Sequence, residues 1–316
     1  MKGSLSEKRV VVLVPCFNEE KTVGEVVRQF RERIPTAEVF VCDNNSTDRT
    51  VEVARAAGAT VMSEPRQGKG YVVQTMFRRI DADVYLMVDG DGTYPARFAP
   101  ELLEPVLADE ADMVVGSRLH AGSSSEFRSL NRFGNTLFLG LLNAIFGVQL
   151  TDLLSGYRVF SRRLVRGIAL FGGGFETEAE MTIRALERGF RIVERPVDLV
   201  PRAAGSHSKI RIVQDGLLIL RTILTLLRDY RPLTFFGSFA VAFALGSLLP
   251  AGWVLAEYLK TGQILRLPSA ILTVGMVLVG LILFVVGLIL HIVTRRFSEV
   301  LVQIQRITDD MGRGPS

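Results

Sequence analysis

Asp89-Gly90-Asp91 sets two carboxylates one residue apart with a glycine between them. That spacing suits a hard divalent cation. Mg2+ or Mn2+ takes one or two protein carboxylates and completes its shell from substrate phosphates, and the glycine lets the backbone pass close to a ligand. The chemistry such a pair serves is neutralisation of a diphosphate as it leaves. Three other clusters complement it. Asp43-Asn44-Asn45-Ser46-Thr47-Asp48 opens with a carboxylate, Asp43, that can accept from the imide N–H of uracil or from the edge of guanine, and its later residues suit helix capping. Pro15-Cys16-Phe17-Asn18-Glu19 combines a turn fixed by Pro15, an aromatic ring at Phe17 to lie against a base or ribose, and Glu19 for ribose hydroxyls. Gly68-Lys69-Gly70 presents a cation and backbone N–H groups to phosphate, without the GxxxxGK[ST] spacing of a P-loop. His120, His207 and His291 are isolated, so no Ser-His-Asp or Cys-His constellation competes with this reading.

The elements around these clusters must bring them together. Apolar runs at 10–14, 38–42, 60–62 and 84–88 read as strands. Amphipathic stretches at 22–33, 50–57 and 71–80 read as helices, the second closed by Gly58. This alternation predicts an α/β head built on a mostly parallel sheet covered on both faces. In such sheets ligands bind beyond the carboxyl ends of the strands. Three of the polar clusters follow strands directly, so one edge should collect them.

The chain has 316 residues, 48% hydrophobic and 22% charged, with mean hydropathy +0.29 and a net charge of +4. Its apolar residues are concentrated. No Asp, Glu, Lys or Arg occurs in 232–256 or 271–293, and each stretch exceeds the ~20 residues that cross a hydrocarbon core of ~30 Å. Two membrane spans following a soluble head are therefore expected. The N-terminal residues carry no apolar run of signal-peptide length, and Cys16 and Cys42 alone point to a reducing compartment. Arg228, Arg231, Arg295, Arg296 and Arg306 flank the spans, while the linker holds Lys260 and Arg266. The charge bias puts head and both termini in the cytoplasm. Basic residues near the spans suit lipid headgroups rather than nucleic acid. The expected division is a catalytic head at 1–209, a juxtamembrane amphipathic helix at 210–231, a two-helix anchor at 232–296 and a cytoplasmic tail at 297–316. Residues 137–146 also read as interfacial. Gly246, Gly275, Gly280 and Gly287 offer small-residue faces through which spans of two copies could pair into a homo-oligomer.

Taken in order and spacing, PCFNEEKTVGEVV, VCDNNSTDRT, GKG and DGDGTYP resemble the family-2 glycosyltransferases of GT-A (Rossmann-like) fold. The later segments Val115-Gly116-Ser117-Arg118, Thr151 to Arg158 (TDLLSGYR) and Arg202 through Gly205 to Ser208-Lys209 are similar to the polyprenyl-phosphate branch, which includes dolichyl-phosphate mannose and glucose synthases. The resemblance spans about residues 8–232. It implies a nucleotide-sugar donor, a polyprenyl phosphate acceptor in the membrane, and Mg2+ or Mn2+. Pro15, Phe17, Glu19 and Asp43 would hold the nucleoside. Asp89 and Asp91 would face the diphosphate, with Asp91 the firmer metal ligand. Arg118, Arg158, Arg202 and Lys209 would gather around donor diphosphate and acceptor phosphate, joined by Lys69. Residues 176–180 (ETEAE) lie where relatives carry an acidic motif, but their composition reads as an exposed helix start. Thr93 stands where some mannose synthases have a metal-binding glutamine, and PRAAGSHSK is longer than the corresponding loop of many relatives; both leave the sugar open.

The implied acceptor sets the mechanism. A phosphomonoester, with a second pKa of about 6, is mostly dianionic at neutral pH and needs little help from a base. It needs charge neutralisation, because two anionic partners must approach to bonding distance, and electrostatic placement is commonly the largest catalytic contribution. In-line displacement with inversion at the anomeric carbon is expected, with Asp152 orienting a phosphate-binding arginine or the sugar. A UDP-sugar is preferred over GDP-mannose. A processive polysaccharide synthase is disfavoured, because the one tryptophan, Trp253, lies inside a span. Transfer to a hydroxyl lipid such as diacylglycerol would require a base such as Asp152, and a tethered scaffold would not need paired aspartates.

Overall fold

The computed structural model describes residues 8–118, 139–140, 142–143, 146–170, 177–200, 224–225, 227–229 and 231–312. The chain forms two compact units, residues 1–219 and 220–316.

The first unit is organised by β1 (Val10–Cys16), β2 (Glu38–Asp43), β3 (Thr60–Ser63) and β4 (Val84–Met87), joined by α1 (Val23–Arg33), α2 (Thr50–Ala56) and α3 (Lys69–Arg79). These four strands are mutually parallel. Then follow α4 (Ala99–Leu107), β5 (Met113–Ser117), β6 (Arg158–Ser161), α5 (Arg162–Gly167), α6 (Thr177–Glu187) and β7 (Ile192–Pro196). The sheet order is β3-β2-β1-β4-β6-β5-β7. The sheet is mostly parallel, as the alternation predicted, with β6 running antiparallel between β4 and β5. That reversal brings the start of β6 to the same edge as the ends of β4 and β5: Met87 pairs with Arg158, and so does Val115. On the other side Cys16 is level with Asp43, and Asp43 with Ser63.

Both faces of the sheet are covered. Even-numbered β1 residues Val10, Val12 and Val14 pack with Val27 and Phe30 of α1 and Leu102 of α4. Odd-numbered Val11 and Leu13 pack with Val73 and Met76 of α3 and Met181 of α6. This explains why β1 reads as an unbroken apolar run. Each such fully buried side chain contributes about 1.5–3 kcal/mol of transfer free energy, so the rigid sheet can carry strained polar loops at its edge.

The second unit contains α7 (Pro232–Thr261) and α8 (Leu267–Gly312), separated by a turn with Gly262 at φ +69°. Two helical stretches, Pro232–Thr261 and Leu267–Thr294, are long and apolar enough to cross a membrane. α8 runs on past 296, where the anchor was expected to end, to Gly312. Three of the four glycines expected to serve pairing between copies are spent within the chain. A Cβ on Gly246 would meet Met276, one on Gly280 the Ala240 carbonyl, and one on Gly287 Phe236, whereas Gly275 faces open space. Half of the expected interfacial stretch at 137–146, and most of the one at 210–231, falls outside the described residues.

Candidate active site

The nucleoside side of the edge is a set of loops knitted together by their own polar groups. Pro15 is buried in the β1 ladder opposite Cys42, and Phe17 and Glu19 follow it, half-buried. Asn18 sits at φ +54°. Its Oδ1 accepts from Thr47 N (2.8 Å), while its own N–H donates to Ser46 Oγ (2.9 Å). Glu19 N donates to Thr50 Oγ1 (2.8 Å). Asp43 is buried at the end of β2, where its carboxylate accepts long bonds from Ser46 N, at 3.3 and 3.4 Å. Asn44 clamps the next loop: Nδ2 donates to the carbonyls of Glu64 (2.9 Å) and Arg66 (2.8 Å), and Oδ1 accepts from Gly68 N (2.7 Å). Gly68 takes φ +136°, a conformation open to glycine, and so turns Lys69 into the first position of α3.

Glu64 anchors this loop from below. Its buried carboxylate takes Arg66 Nε at 2.8 Å and the Thr75 hydroxyl. Arg66 first, then Thr75, pull its pKa from 4.5 down to about 2. A carboxyl depressed on folding stabilises above its unfolded pKa, and that contribution fades as pH falls towards the folded value. Circular-dichroism melts of the full chain in detergent should therefore lose stability between about pH 4.5 and pH 2, and Glu64→Gln should lower the melting temperature at pH 7 while flattening that acid limb.

The centre of the edge is a charged knot. Lys69 Nζ lies 2.5 Å from Asp89 Oδ1 and 2.5 Å from Glu178 Oε1. Burial alone would lower its pKa, but Asp89 and Glu178 outweigh it and hold the ammonium protonated. Burial pushes the Asp89 carboxyl up, Lys69 opposes this, and the charges of Glu178 and Asp91 add to it. Asp91 is buried, and its Oδ1 accepts from the Thr93 hydroxyl (2.7 Å) and Thr93 N (3.1 Å). Thr93 thus fixes the aspartate through its own backbone and hydroxyl.

Gly156 packs flat on Asp89: a Cβ there would stand 2.3 Å from Oδ2 and 2.7 Å from Cγ. Gly156→Ala should displace that carboxylate and cut turnover by up to about a hundredfold, because misplacement of order 1 Å carries costs of that size. The check is the transfer rate beside an unchanged far-ultraviolet spectrum.

Two carboxylates, Asp89 and Glu178, meet one ammonium here, and the charge of Asp91 acts on Asp89 from nearby. The surplus negative charge and the hard oxygen donors of Asp89 and Asp91 fit Mg2+ or Mn2+. Among the described residues no group of three His, Cys, Asp or Glu side chains is arranged to hold a metal ion.

Beyond β5 lies the second cationic element. Arg118 Nε and Nη2 grip Asp152 Oδ2 and Oδ1 at 2.6 and 2.8 Å, and Arg118 N adds a third bond at 3.0 Å. Burial would raise the Asp152 pKa, but Arg118 holds it below the usual range. Asp152 is in turn seated by Glu194, which accepts from Asp152 N (3.0 Å) and the Thr151 hydroxyl (2.7 Å). Its carboxylate is an arginine clamp with both oxygens engaged.

Two expectations need correcting. Arg158 does not face a phosphate: it is fully buried, with Nε on Ser155 O (2.8 Å), Nη2 on Leu153 O (2.6 Å) and Nη1 on Thr182 Oγ1 (2.7 Å). It shapes the turn that carries Gly156. Nor is the described part of ETEAE, residues 177–180, an exposed helix start. Glu178 and Glu180 are buried, the first on Lys69 and the second on Arg184 at 2.9 Å. Glu178 is the buried partner of Lys69 that composition missed; its position in the family's acidic motif was the available signal. Arg202 and Lys209 lie outside the described residues.

A sheet of this strand order, with paired aspartates and basic side chains at its carboxyl edge, defines a GT-A-type glycosyltransferase. The profile described as Glycosyl transferase family 2 matches residues 11–168, and the chain belongs to that family. Glycosyltransferase AglJ of Haloferax volcanii is 32% identical over 303 residues, 94% of this chain and 98% of the relative. Dolichyl-phosphate hexose transferase of the same organism is 32% identical over 194 residues, 61% of this chain and 84% of the relative. Among solved structures, Mycobacterium tuberculosis glucosyl-3-phosphoglycerate synthase, crystallised with Mn2+ and UDP-glucose, matches with TM-score 0.58 at 23% identity, over 71% of this chain and 79% of that one. That likeness is one of fold.

Proposed function

We propose that this family-2 glycosyltransferase moves a sugar from a nucleotide-sugar, UDP-linked by preference, to a membrane polyprenyl phosphate. The observation that carries the reading is the convergence at one sheet edge of a carboxylate-rich centre (Asp89, Asp91) with Lys69 and an arginine locked by Asp152. The name of the dolichyl-phosphate relative and two helices apolar enough to cross a membrane support the lipid acceptor.

In this reading Pro15, Phe17, Glu19 and Asp43 cradle the nucleoside. Asp89 and Asp91 hold the divalent ion, which when bound neutralises the departing diphosphate. Lys69, Arg118, Arg202 and Lys209 surround the phosphates. An acceptor phosphate oxygen forms the new bond to the anomeric carbon from the side opposite the leaving group. The bond from that carbon to the diphosphate breaks, the nucleoside diphosphate leaves, and configuration inverts. No residue must take a proton from a dianionic acceptor. This suits an Asp152 whose oxygens are held by Arg118, and it disfavours a hydroxyl acceptor that would need a base. The head and both termini are cytoplasmic in this scheme, with the head ending near 209 and a juxtamembrane helix at 210–231.

The test is a product assay with the full chain in detergent, Mg2+ or Mn2+, undecaprenyl and dolichyl phosphates, and labelled UDP- and GDP-sugars. Label entering a lipid phosphate from one donor supports the reading and identifies nucleotide and sugar together. Label entering diacylglycerol instead overturns the acceptor.

A further inference from the structure

Lys69 and Glu178 come from distant parts of the chain and meet at a carboxylate assigned to metal. Both are rigidly mounted. Lys69 opens α3 behind the Asn44 clamp on Gly68. Glu178 lies in the first turn of α6, where its carbonyl accepts from Thr182 Oγ1 (3.0 Å), the same hydroxyl that receives Arg158. The two carboxylates flanking the ammonium are unlike. The Glu178 side chain is 5% exposed and that of Asp89 29%, so a ligand reaches the ammonium from the Asp89 side.

An ammonium has three donors. Held by Glu178 through one, it can exchange Asp89 for another anion without leaving. A divalent ion on Asp89 competes for the oxygen that Lys69 occupies, and the arriving diphosphate offers the displaced ammonium new acceptors. We propose that Lys69 is a resident counter-ion of Asp89 that passes to the donor's diphosphate when a divalent cation takes Asp89, and that Glu178 is the positioning residue that holds the ammonium in place through this exchange. The inference rests on the reading of Asp89 as a metal carboxylate.

Glu178 acts here through Lys69. As a metal ligand, or as a charge acting through space, it would attract the cation whether or not Lys69 were present. This difference is measurable without turnover. Binding of Mn2+ alone, with no nucleotide, is followed by the electron paramagnetic resonance signal of the free ion, using the full chain in detergent. Lys69→Gln should tighten Mn2+ binding about tenfold by vacating Asp89, a coupling of the size that adjacent charges show in double-mutant cycles. Glu178→Gln should weaken it about tenfold, because the undivided ammonium falls onto Asp89. In Lys69→Gln/Glu178→Gln the glutamate's effect should shrink to less than about twofold. Lys69→Arg, which keeps the charge, should stay near the parent.

An equal loss from Glu178→Gln in both backgrounds would overturn the exchange and make Glu178 a direct attractor of the metal. If Glu178→Gln does not fold, as judged by its melting profile, Glu178→Asp withdraws the carboxylate by one methylene and should weaken Mn2+ in the same Lys69-dependent way; a Lys69-independent loss overturns the proposal there too. Asp89→Asn separates the two levels of inference. Unchanged Mn2+ binding in that variant removes the metal role of Asp89, and the exchange with it. Lost binding in Asp89→Asn with additive Lys69 and Glu178 effects removes the exchange alone.

Discussion

Asp91→Asn should lower sugar transfer by about a hundred- to a thousandfold, the range seen when one group that stabilises developing charge is removed. The substitution keeps the side chain's shape, and the amide oxygen can still accept from Thr93, whose hydroxyl and N–H lie 2.7 and 3.1 Å from Oδ1 in the parent. What disappears is a full negative charge next to Asp89 at the end of β4. The variant should therefore fold, insert and melt like the parent while its transfer rate collapses and its Mn2+ titration shifts to higher concentration. Turnover within a few-fold of the parent would remove Asp91 from the metal site and return its role to capping the 91–93 turn.

Removing the other anchor should cost folding as well as catalysis. Asp152→Ala leaves Arg118 without the carboxylate that meets it at 2.6 and 2.8 Å. The Asp152 side chain is wholly buried and that of Arg118 only 16% exposed. Deleting one member of a buried ion pair strands the other, at about 3–5 kcal/mol. Arg118→Ala/Asp152→Ala should recover part of that loss, because the stranded charge goes too. Transfer should fall in both variants. The pH–rate profile of Asp152→Ala should keep its shape if, as proposed, the aspartate orients and does not shuttle protons; loss of its acidic limb would instead identify Asp152 as a base. Melting curves and pH–rate profiles of the parent, both single variants and the double variant decide this.

The first half of the head was legible because its strands are continuous β-branched runs, Val10–Cys16 above all, separated by helices with clear apolar stripes. The second half was less so. β6 has four residues, and nothing in RVFS announces that it runs against its neighbours. Its placement is a tertiary fact, fixed by Met87 and Val115 both pairing with Arg158. The same limit governed the side chains. The family resemblance of TDLLSGYR implies a phosphate ligand in Arg158, yet its donors go to two carbonyls, a threonine hydroxyl and the Met113 sulfur. Glutamates in a polar stretch read as solvated, yet Glu178 is buried because Lys69 arrives from elsewhere to receive it. Residue type and spacing could say which chemistry the edge would host, but not which basic and acidic groups would be consumed in building it.

The antiparallel course of β6 has one more result. Ser117 Oγ and Thr151 Oγ1 stand 2.7 Å apart, and Arg118 and Asp152 are joined beside them. The polypeptide therefore departs from the sheet and returns to it at almost one point, like a bag closed by a drawstring. Lengthening what lies between the two ends adds only about 0.6 kcal/mol of closure entropy per doubling and need not disturb a single strand pairing. The knot of the drawstring is the ion pair the proposed reaction would use, so both ends of the enclosed segment stay tied to the chemistry. A transplant cut at Ser117 and Arg158 would carry clasp and contents together, which makes this the natural seam for exchanging segments between members of the family.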